Sequence, residues 1–276
     1  MEKKVCLILS GGAARCLAHI GVYKYLFRNG FEIVGVAGSS GGTVVGAFIA
    51  ANYLPCQMEN LASKIKPYRV LKPAVPPKSS LLSWKPVRRF FKHFLPRRFE
   101  ELSIPLYASV TDLKTGENFL LTGSPFIPKP KEEQHPDLPT TVGKGNFVVV
   151  TNLIDAVSAS AALPPFFEPV KIDGRLYADG AFTNDLPVEP FLGRKDCLKV
   201  CVDVTPIYPT EKLSGMLDYT VRAFVIGIRK HKEEKYHLCD AVIKPNLEGL
   251  SFINYTNPSP YVEKGFEAAQ KVLAGI

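Results

Sequence analysis

The sequence predicts an α/β protein, with a mainly parallel central sheet between two layers of helices. The first observation is that residues 5–9 form an unbroken apolar run, which is typical of a strand buried on both faces. The second is that a helical pattern at 13–29 follows this run, after which a strand and a helix alternate again. Strands that alternate with helices form parallel sheets covered on both faces.

Local signals set the limits of these first elements. A double glycine at 11–12 interrupts the first strand, and Gly30 ends the first helix because glycine readily adopts the left-handed conformation found at helix ends. We expect a second strand at 31–37, a tight turn at 38–42 and a strongly apolar helix at 43–53.

Further elements are predicted beyond residue 100. They are a hairpin of strands 106–111 and 118–121 around the turn 114–117, strands at 147–150, 198–204 and 241–243, helices at 218–235 and 261–273, and an exposed loop at 122–146. The chain has no internal repeat and no shift in composition that divides it. We therefore expect a single domain over residues 1–276.

The positive charge of the chain is concentrated in one segment. The sequence has 34 Lys and Arg against 26 Asp and Glu, and 11 of these basic residues lie in 64–99, which contains no acidic residue. The remainder is therefore mildly acidic. This distribution argues against a protein that coats nucleic acid, and no nucleic-acid-binding motif is present.

The N-terminal apolar run and the cysteines indicate the cellular compartment of the protein. The N-terminal apolar run has five residues, whereas a signal peptide needs about 7–15 and a membrane span about 20. The six cysteines include no C-x-x-C pair and lie mostly in apolar runs. We therefore expect buried free thiols in a reducing cytosol rather than a disulfide framework.

A candidate nucleophile lies in the turn 38–42, whose sequence GSSGG fits G-x-S-x-G. Gly38 and Gly42 would allow the sharp strand-to-helix turn that projects the hydroxyl of Ser40 beyond the edge of the sheet. The start of a helix also favours a developing negative charge. The alternative is a glycine-rich turn without a chemical role.

Residues 10–15, SGGAAR, form a second glycine turn at the same sheet edge, and their backbone N–H groups are candidate donors to an oxyanion. The alternative is a dinucleotide-binding loop. However, the turn lacks the G-x-G-x-x-G spacing, and no acidic residue follows the second strand to bind a ribose.

A base is also required, and none of the five histidines follows a strand in a turn of small residues. Asp179 does, because it ends the short β run 174–179 and precedes Gly180 and Ala181. Taken alone, this feature is also typical of an ordinary Asp-Gly turn.

Together these residues resemble the patatin-like phospholipase family over residues 4–245. The similarity lies in five blocks in the family's order, namely 9–22, 38–42, the hairpin 111–117, the A-S-x-x-x-P block within 158–167, and Asp179-Gly180-Ala181 followed by Asn184, Leu186 and Pro187. The resemblance implies a three-layer fold with a nucleophile elbow. It implies a Ser-Asp dyad with Ser40 as nucleophile and Asp179 as general base, and no metal or cofactor.

The resemblance also assigns an oxyanion hole to the N–H groups of Gly11, Gly12, Ala13 and Gly41. Arg15 would orient that loop or bind substrate phosphate, and the alternative is an ordinary surface arginine. The sequence departs from the family pattern where Ala13 and Cys16 replace glycines. Ala13 can donate its N–H without strain only if its φ is negative.

Segment 64–99 interrupts the family blocks and is interpreted as a cap beside the site. Within it, Trp84, Val87, Phe90, Phe91 and Phe94 fall on one side of a helical wheel, and Lys85, Arg88, Arg89 and Lys92 fall on the other. Such a helix fits the surface of an anionic membrane. Packing of the aromatic face onto the core is the alternative.

These observations predict a cytoplasmic serine esterase that hydrolyses phospholipids or other acyl-ester lipids, peripherally bound at the membrane. A lipid transacylase or a non-catalytic lipid-binding protein with the same fold are the alternatives. The sequence does not specify the lipid head group, the acyl chain length or the oligomeric state.

Overall fold

The computed structural model describes residues 3–76, 79–124, 146–207 and 215–275. Most of the loop predicted at 122–146 lies outside these ranges. The strands are β1 (Lys3–Leu9), β2 (Phe31–Ser39), β3 (Leu106–Asp112), β4 (Asn118–Thr122), β5 (Phe147–Val149), β6 (Val170–Ile172), β7 (Arg175–Asp179), β8 (Leu198–Val202) and β9 (Ala241–Ile243).

The helices flank this sheet. They are α1 (Leu17–Arg28), α2 (Gly41–Ala50), α3 (Pro55–Lys64), α4 (Pro67–Val70), α5 (Trp84–Phe94), α6 (Leu153–Ser160), α7 (Met216–Glu233) and α8 (Ser259–Leu273). A 3-10 turn at Ala13–Cys16 precedes α1. None of the described helices is long and apolar enough to cross a membrane.

The strands form one sheet in the order β5-β4-β3-β2-β1-β8-β9. The four pairs β3–β2, β2–β1, β1–β8 and β8–β9 are all parallel. The β3–β4 hairpin and the strand β7, which pairs with β3 and β6, are antiparallel. This mainly parallel sheet between helices confirms the predicted α/β class.

Both faces of the sheet are buried, as the apolar runs predict. Along β1, Val5, Leu7 and Leu9 belong to one hydrophobic cluster, whereas Cys6 and Ile8 belong to a second cluster on the opposite face. Successive side chains of a strand point to opposite faces, so this alternation requires apolar residues at every position.

The predicted elements appear with small shifts in their limits. Residues 13–16 form a 3-10 turn rather than the first turn of α1, which begins at Leu17. Strand β2 continues to Ser39 and α2 begins at Gly41, so Ser40 alone joins the two elements. The turn is thus sharper than the predicted range 38–42.

The expectation of free thiols is wrong for four of the cysteines. Cys6 is bonded to Cys197 and Cys201 to Cys239, and the free cysteines are Cys16 and Cys56. The partners are 191 and 38 residues apart in the chain, and folding brings them together. Spacing rules based on close pairs such as C-x-x-C therefore miss them.

Candidate active site

The turn between β2 and α2 holds Ser40 in a strained conformation, with φ 52° and ψ −127°. A non-glycine residue is rarely found there, and such strain typically accompanies function. The backbone is tightly packed around it: a Cβ added to Gly42 would lie 2.4 Å from the carbonyl oxygen of Leu9, and one added to Gly38 would lie 2.7 Å from the nitrogen of Thr43. Both positions therefore require glycine.

Sheet topology brings Asp179 next to this turn. Strand β4 covers one edge of β3, and β2 and β7 share the other edge. Strand β2 ends with Ser39 opposite Ser109, whereas β7 ends with Asp179 opposite Val110, the next residue of β3. The two strands run towards each other and meet there, which juxtaposes Ser40 and Asp179.

The residues after Asp179 fix its carboxylate. Its Oδ1 accepts a hydrogen bond of 2.9 Å from the N–H of Ala181. A Cβ at Gly180 would lie 2.2 Å from the carbonyl oxygen of Ser109, so only glycine fits there. Because the Asp179 side chain is buried, its orientation depends on these contacts rather than on water.

Burial raises the pKa of Asp179 to about 7, and the negative charge of Asp185 acts in the same direction, while the Ser40 hydroxyl and the Ala181 N–H lower it. Oδ2 of Asp179 accepts no hydrogen bond of normal geometry from the described residues. The Ser40 hydroxyl is thus near enough to affect the carboxyl group without forming a well-aligned bond, as is common before substrate binds.

The predicted oxyanion loop needs one correction. The N–H of Gly11 donates to Asp185 Oδ1 at 2.8 Å, so it is already engaged and is not available to an oxyanion. Among the described residues, no acceptor binds the N–H groups of Gly12, Ala13 or Gly41. These three remain candidate donors.

Ala13 adopts φ 48°, the conformation in which glycine would avoid a steric cost. The other departure from the family pattern, Cys16, packs beside the elbow and its Sγ donates to the carbonyl oxygen of Ser10 at 3.6 Å. A Cβ at Gly41 would lie 2.7 Å from this sulfur. Cys16 therefore restricts position 41 to glycine.

Arg15 contacts the segment before α8. Its Nε and Nη2 donate to the carbonyl oxygen of Leu250 at 3.2 and 3.0 Å, and its guanidinium lies 3.9 Å from the ring centre of Phe252. Arg15 does not line the cavity described below. This geometry favours the loop-orienting role over phosphate binding.

No histidine lines the site within the described ranges. His19 is buried in α1, where its Nε2 donates to the carbonyl oxygen of Ser10 at 2.9 Å. Burial lowers its pKa to about 4, so the ring is neutral at physiological pH. Asp179 accordingly remains the candidate base.

Sequence reasoning missed the contribution of Ser160. Its Oγ accepts the N–H of Ser40 at 3.1 Å and exchanges a 2.7 Å hydrogen bond with Thr43 Oγ1. Ser160 thereby ties α6 to both sides of the elbow. The signal was present, because this residue is the serine of the A-S-x-x-x-P block.

A cavity of about 510 Å³ opens beside Ser40 and Asp179. Its walls are largely apolar and come from α2, α3, α5, α7 and the loops at 163–167 and 252–255. Cavities of this size and character accept ligands that are mostly apolar, with polar groups placed where orientation matters. The catalytic candidates Ser40 and Asp179 are among the residues that line it.

The aromatic face of α5 forms part of this wall. Trp84, Val87, Phe90 and Phe91 all line the cavity, and Trp84 stacks on Phe167 with ring centres 4.2 Å apart. These side chains are therefore packed inside the protein. This packing favours the alternative that the aromatic face packs on the core, and membrane binding of the segment stays a prediction.

The comparisons with known proteins agree with this geometry. A family model described as patatin-like phospholipase matches residues 7–192. An uncharacterised NTE family protein of Mycobacterium tuberculosis is 31% identical over 204 residues, which are 73% of this chain and 49% of that protein. Lysophospholipase NTE1 of Kluyveromyces lactis is 26% identical over 223 residues, which are 76% of this chain and 14% of that protein.

The chain thus spans about half the length of the mycobacterial relative and less of the yeast one. Among solved structures, VipD from Legionella pneumophila aligns with a TM-score of 0.52 at 13% identity, covering 98% of this chain and 66% of that chain. At this identity the likeness concerns the fold.

Proposed function

The chain belongs to the patatin-like phospholipase family, and from this premise we propose that it hydrolyses carboxylic esters of lipids with a Ser40–Asp179 dyad. The observation that carries the proposal is the meeting of β2 and β7 on one edge of β3, next to a largely apolar cavity. The candidate nucleophile Ser40, the candidate base Asp179 and a cavity that could hold an acyl chain are then adjacent.

In the proposed reaction, Asp179 accepts the proton of Ser40 as Oγ attacks the ester carbonyl carbon. The resulting oxyanion receives hydrogen bonds from the N–H groups of Gly12, Ala13 and Gly41. The intermediate collapses, the C–O bond to the alcohol breaks, and Asp179 returns the proton to the leaving oxygen. Water, deprotonated by Asp179, then attacks the acyl-enzyme carbonyl carbon. The bond to Ser40 Oγ breaks, Asp179 returns the proton to this oxygen, and the fatty acid is released.

The electrostatics of Asp179 support its role as a base. An aspartate with an ordinary pKa near 3.9 is a weak base, whereas burial raises the pKa of Asp179 to about 7. A catalytic base is most effective when its pKa lies near the working pH. No histidine is then needed to activate Ser40.

The exposed basic residues of 64–99 support binding to an anionic membrane surface, which we include in the proposal. Lys85, Arg89 and Lys92 remain exposed on α5, whereas Arg88 forms an ion pair with Asp155. Each cation near such a surface contributes about 1 kcal/mol. The cavity wall formed by the opposite face of α5 would then lie close to the lipid.

A non-catalytic lipid-binding protein is the second candidate function. The observations in its favour are the positive φ of Ala13 and the engagement of the Gly11 N–H by Asp185. Both reduce the number of unstrained donors that an oxyanion can use.

Labelling with an activated fluorophosphonate separates these candidates. Wild-type protein should be labelled, Ser40→Ala should not, and Ser39→Ala provides the matched control because Ser39 is the buried last residue of β2, directly before Ser40. Asp179→Asn should abolish turnover of a nitrophenyl ester while the protein stays folded.

Equal labelling of wild type and Ser40→Ala would contradict Ser40 as the nucleophile. Normal turnover by Asp179→Asn would contradict the dyad. A panel of phospholipids, lysophospholipids and acylglycerols would then identify the preferred ester, and added alcohols would reveal transfer to acceptors other than water.

A further inference from the structure

A second buried aspartate lies in the site and takes no part in the reaction above. The Asp185 side chain is 1% exposed, and its Oδ1 accepts the N–H of Gly11 at 2.8 Å. A Cβ built on Gly11 would lie 3.0 Å from Asp185 Oδ1 and 3.0 Å from Ser40 Cβ. Asp185 and the nucleophile therefore border the same glycine.

The nearest cation, Lys232, lies closer to other acceptors than to Asp185. Lys232 Nζ donates to Asp203 Oδ1 at 2.6 Å and to the carbonyl and hydroxyl oxygens of Thr205 at 3.1 and 2.5 Å, which uses its three N–H groups. Nζ lies 3.7 Å from Asp185 Oδ2, and this oxygen has no hydrogen-bond partner among the described residues.

The cluster therefore contains more negative than positive groups. Two carboxylates share one ammonium group, and the hydroxyl of Tyr236 donates to Asp203 at 2.6 Å, which further favours charge on Asp203. Burial raises the pKa of Asp185 to about 6, with the charge of Lys232 acting in the opposite direction, so Asp185 carries its negative charge above that pH. The negative charge of Asp185 also raises the pKa of Asp179 at the end of β7 and that of Cys16 in the 3-10 turn.

The loop that Asp185 contacts needs external support. Ala13 adopts a positive φ, which costs energy in a residue with a side chain. Such a conformation persists only where surrounding contacts impose it. Two contacts flank it, the Gly11 N–H to Asp185 and the Ala14 N–H to the carbonyl oxygen of Phe252 at 2.9 Å.

We propose that Asp185 is a positioning residue for the esterase reaction. Its carboxylate holds the Gly11 peptide so that the N–H groups of Gly12 and Ala13 face Ser40, and its negative charge strengthens Asp179 as a base. The proposal rests on the proposed function, because it concerns the same nucleophile and oxyanion.

The charge effect has a defined sign. Asp179 is buried beside the Ser40 hydroxyl, the Ala181 N–H and Asp185, and a neighbouring negative charge raises the pKa of a carboxyl group. Removing the charge of Asp185 lowers the pKa of Asp179. Because Asp179 must be deprotonated to act as the base, the midpoint of the rise of kcat/KM with pH then moves to lower pH.

Two substitutions separate positioning from charge. Asp185→Asn keeps an oxygen that can accept the Gly11 N–H but removes the charge, whereas Asp185→Ala removes both. Lys232 keeps Asp203 as its partner in either variant, so no unpaired buried charge is created. Glu189→Gln is the control, because Glu189 is a buried carboxylate that pairs with Lys235 outside the cavity.

The expected result is a lower pH midpoint of kcat/KM in both Asp185 variants, and an unchanged midpoint in Glu189→Gln. In addition, kcat should fall about 10- to 100-fold in Asp185→Ala, with a smaller change in KM, and should fall less in Asp185→Asn, which loses only the charge. Thermal unfolding is recorded for each variant to show that it is folded.

Wild-type midpoints in both Asp185 variants would overturn the charge effect, and equal kcat values in the two variants would overturn the positioning role. Ser40-dependent labelling and turnover by the wild type are measured in the same series. Their absence would reject the proposed function itself, which distinguishes that failure from a failure of the proposal for Asp185.

Discussion

At the scale of single residues, two backbone conformations define the site. Ser40 and Ala13 both have positive φ, 52° and 48°. For Ser40 the strain projects a hydroxyl away from the sheet and is expected at a nucleophile elbow. Ala13 projects only a methyl group, so its strain brings no comparable chemical advantage.

Ala13→Gly should therefore stabilise the protein. Glycine adopts a positive φ without steric cost, and we expect the free energy of unfolding to rise by about 1 kcal/mol. Urea-induced unfolding measures the change, and fluorophosphonate labelling should be at least as fast as in the wild type because the loop keeps its conformation.

Ala14→Gly is the matched control, because Ala14 is buried in the same turn and lacks a positive φ. This substitution should lower stability, since glycine increases the freedom of the unfolded chain and removes a buried methyl group. Destabilisation by Ala13→Gly would contradict the assignment of strain to position 13.

At the scale of elements, helix α8 packs directly on α1 through two glycines. A Cβ on Gly21 would lie 1.9 Å from the carbonyl oxygen of Val262, and one on Gly265 would lie 1.9 Å from that of Ala18. The helix backbones thus approach closely where a side chain is missing. This contact holds α1, which follows the candidate oxyanion loop, against α8.

Gly21→Ala should destabilise the protein by about 1–3 kcal/mol, because the added methyl group overlaps backbone that cannot move independently. Gly227→Ala in α7 should have the opposite effect, since nothing lies within 4 Å of a Cβ there and alanine favours helix by about 1 kcal/mol. Urea-induced unfolding of both variants tests the comparison.

A Gly21→Ala variant as stable as the wild type would contradict the close approach of the α1 and α8 backbones at this position. Gly21→Ala and Gly227→Ala are the same substitution in two helices of one protein. Their comparison therefore separates packing at Gly21 from the general effect of replacing glycine by alanine within a helix.

At the scale of the whole molecule, segment 64–99 carries the excess positive charge and also forms part of the cavity wall. The 11 basic residues of 64–99 form the only part of the sequence with a large excess of one sign. Helix α5 presents exposed lysines and an arginine on one face and lines the cavity with the other. A surface that binds anionic lipid would thus lie over the wall of the candidate substrate site.

Reversal of Lys85, Arg89 and Lys92 to glutamate should reduce co-sedimentation with phosphatidylglycerol vesicles by at least about tenfold at low salt, because each cation contributes about 1 kcal/mol. Added salt should weaken wild-type binding in the same direction. Turnover of a soluble nitrophenyl ester should be unaffected, because these side chains are exposed.

Reversal of three exposed lysines outside the segment, Lys114, Lys195 and Lys271, is the control for net charge. If both triple variants lost vesicle binding equally, the effect would belong to the overall charge. If neither lost it, the membrane surface assigned to 64–99 would be rejected.

The sequence alone predicted the features that depend on neighbouring residues. Apolar runs and glycine turns identified β1, β2 and α2, and the spacing in 38–42 identified Ser40 as the candidate nucleophile. These patterns are readable because helices, strands and turns are limited by local sterics and hydrogen bonding. The order of the blocks then added Asp179, which local reasoning alone left as a candidate.

Tertiary structure decided which groups meet. It bonded Cys6 to Cys197, turned the aromatic face of α5 into the protein, and placed Asp185 on the Gly11 N–H, 174 residues away in the chain. Each of these contacts depends on how distant segments pack, and no local pattern encodes the partner. The sequence by itself therefore determined the elements and the candidate dyad, whereas the candidate oxyanion donors and the charge around the candidate base were decided only by the folded chain.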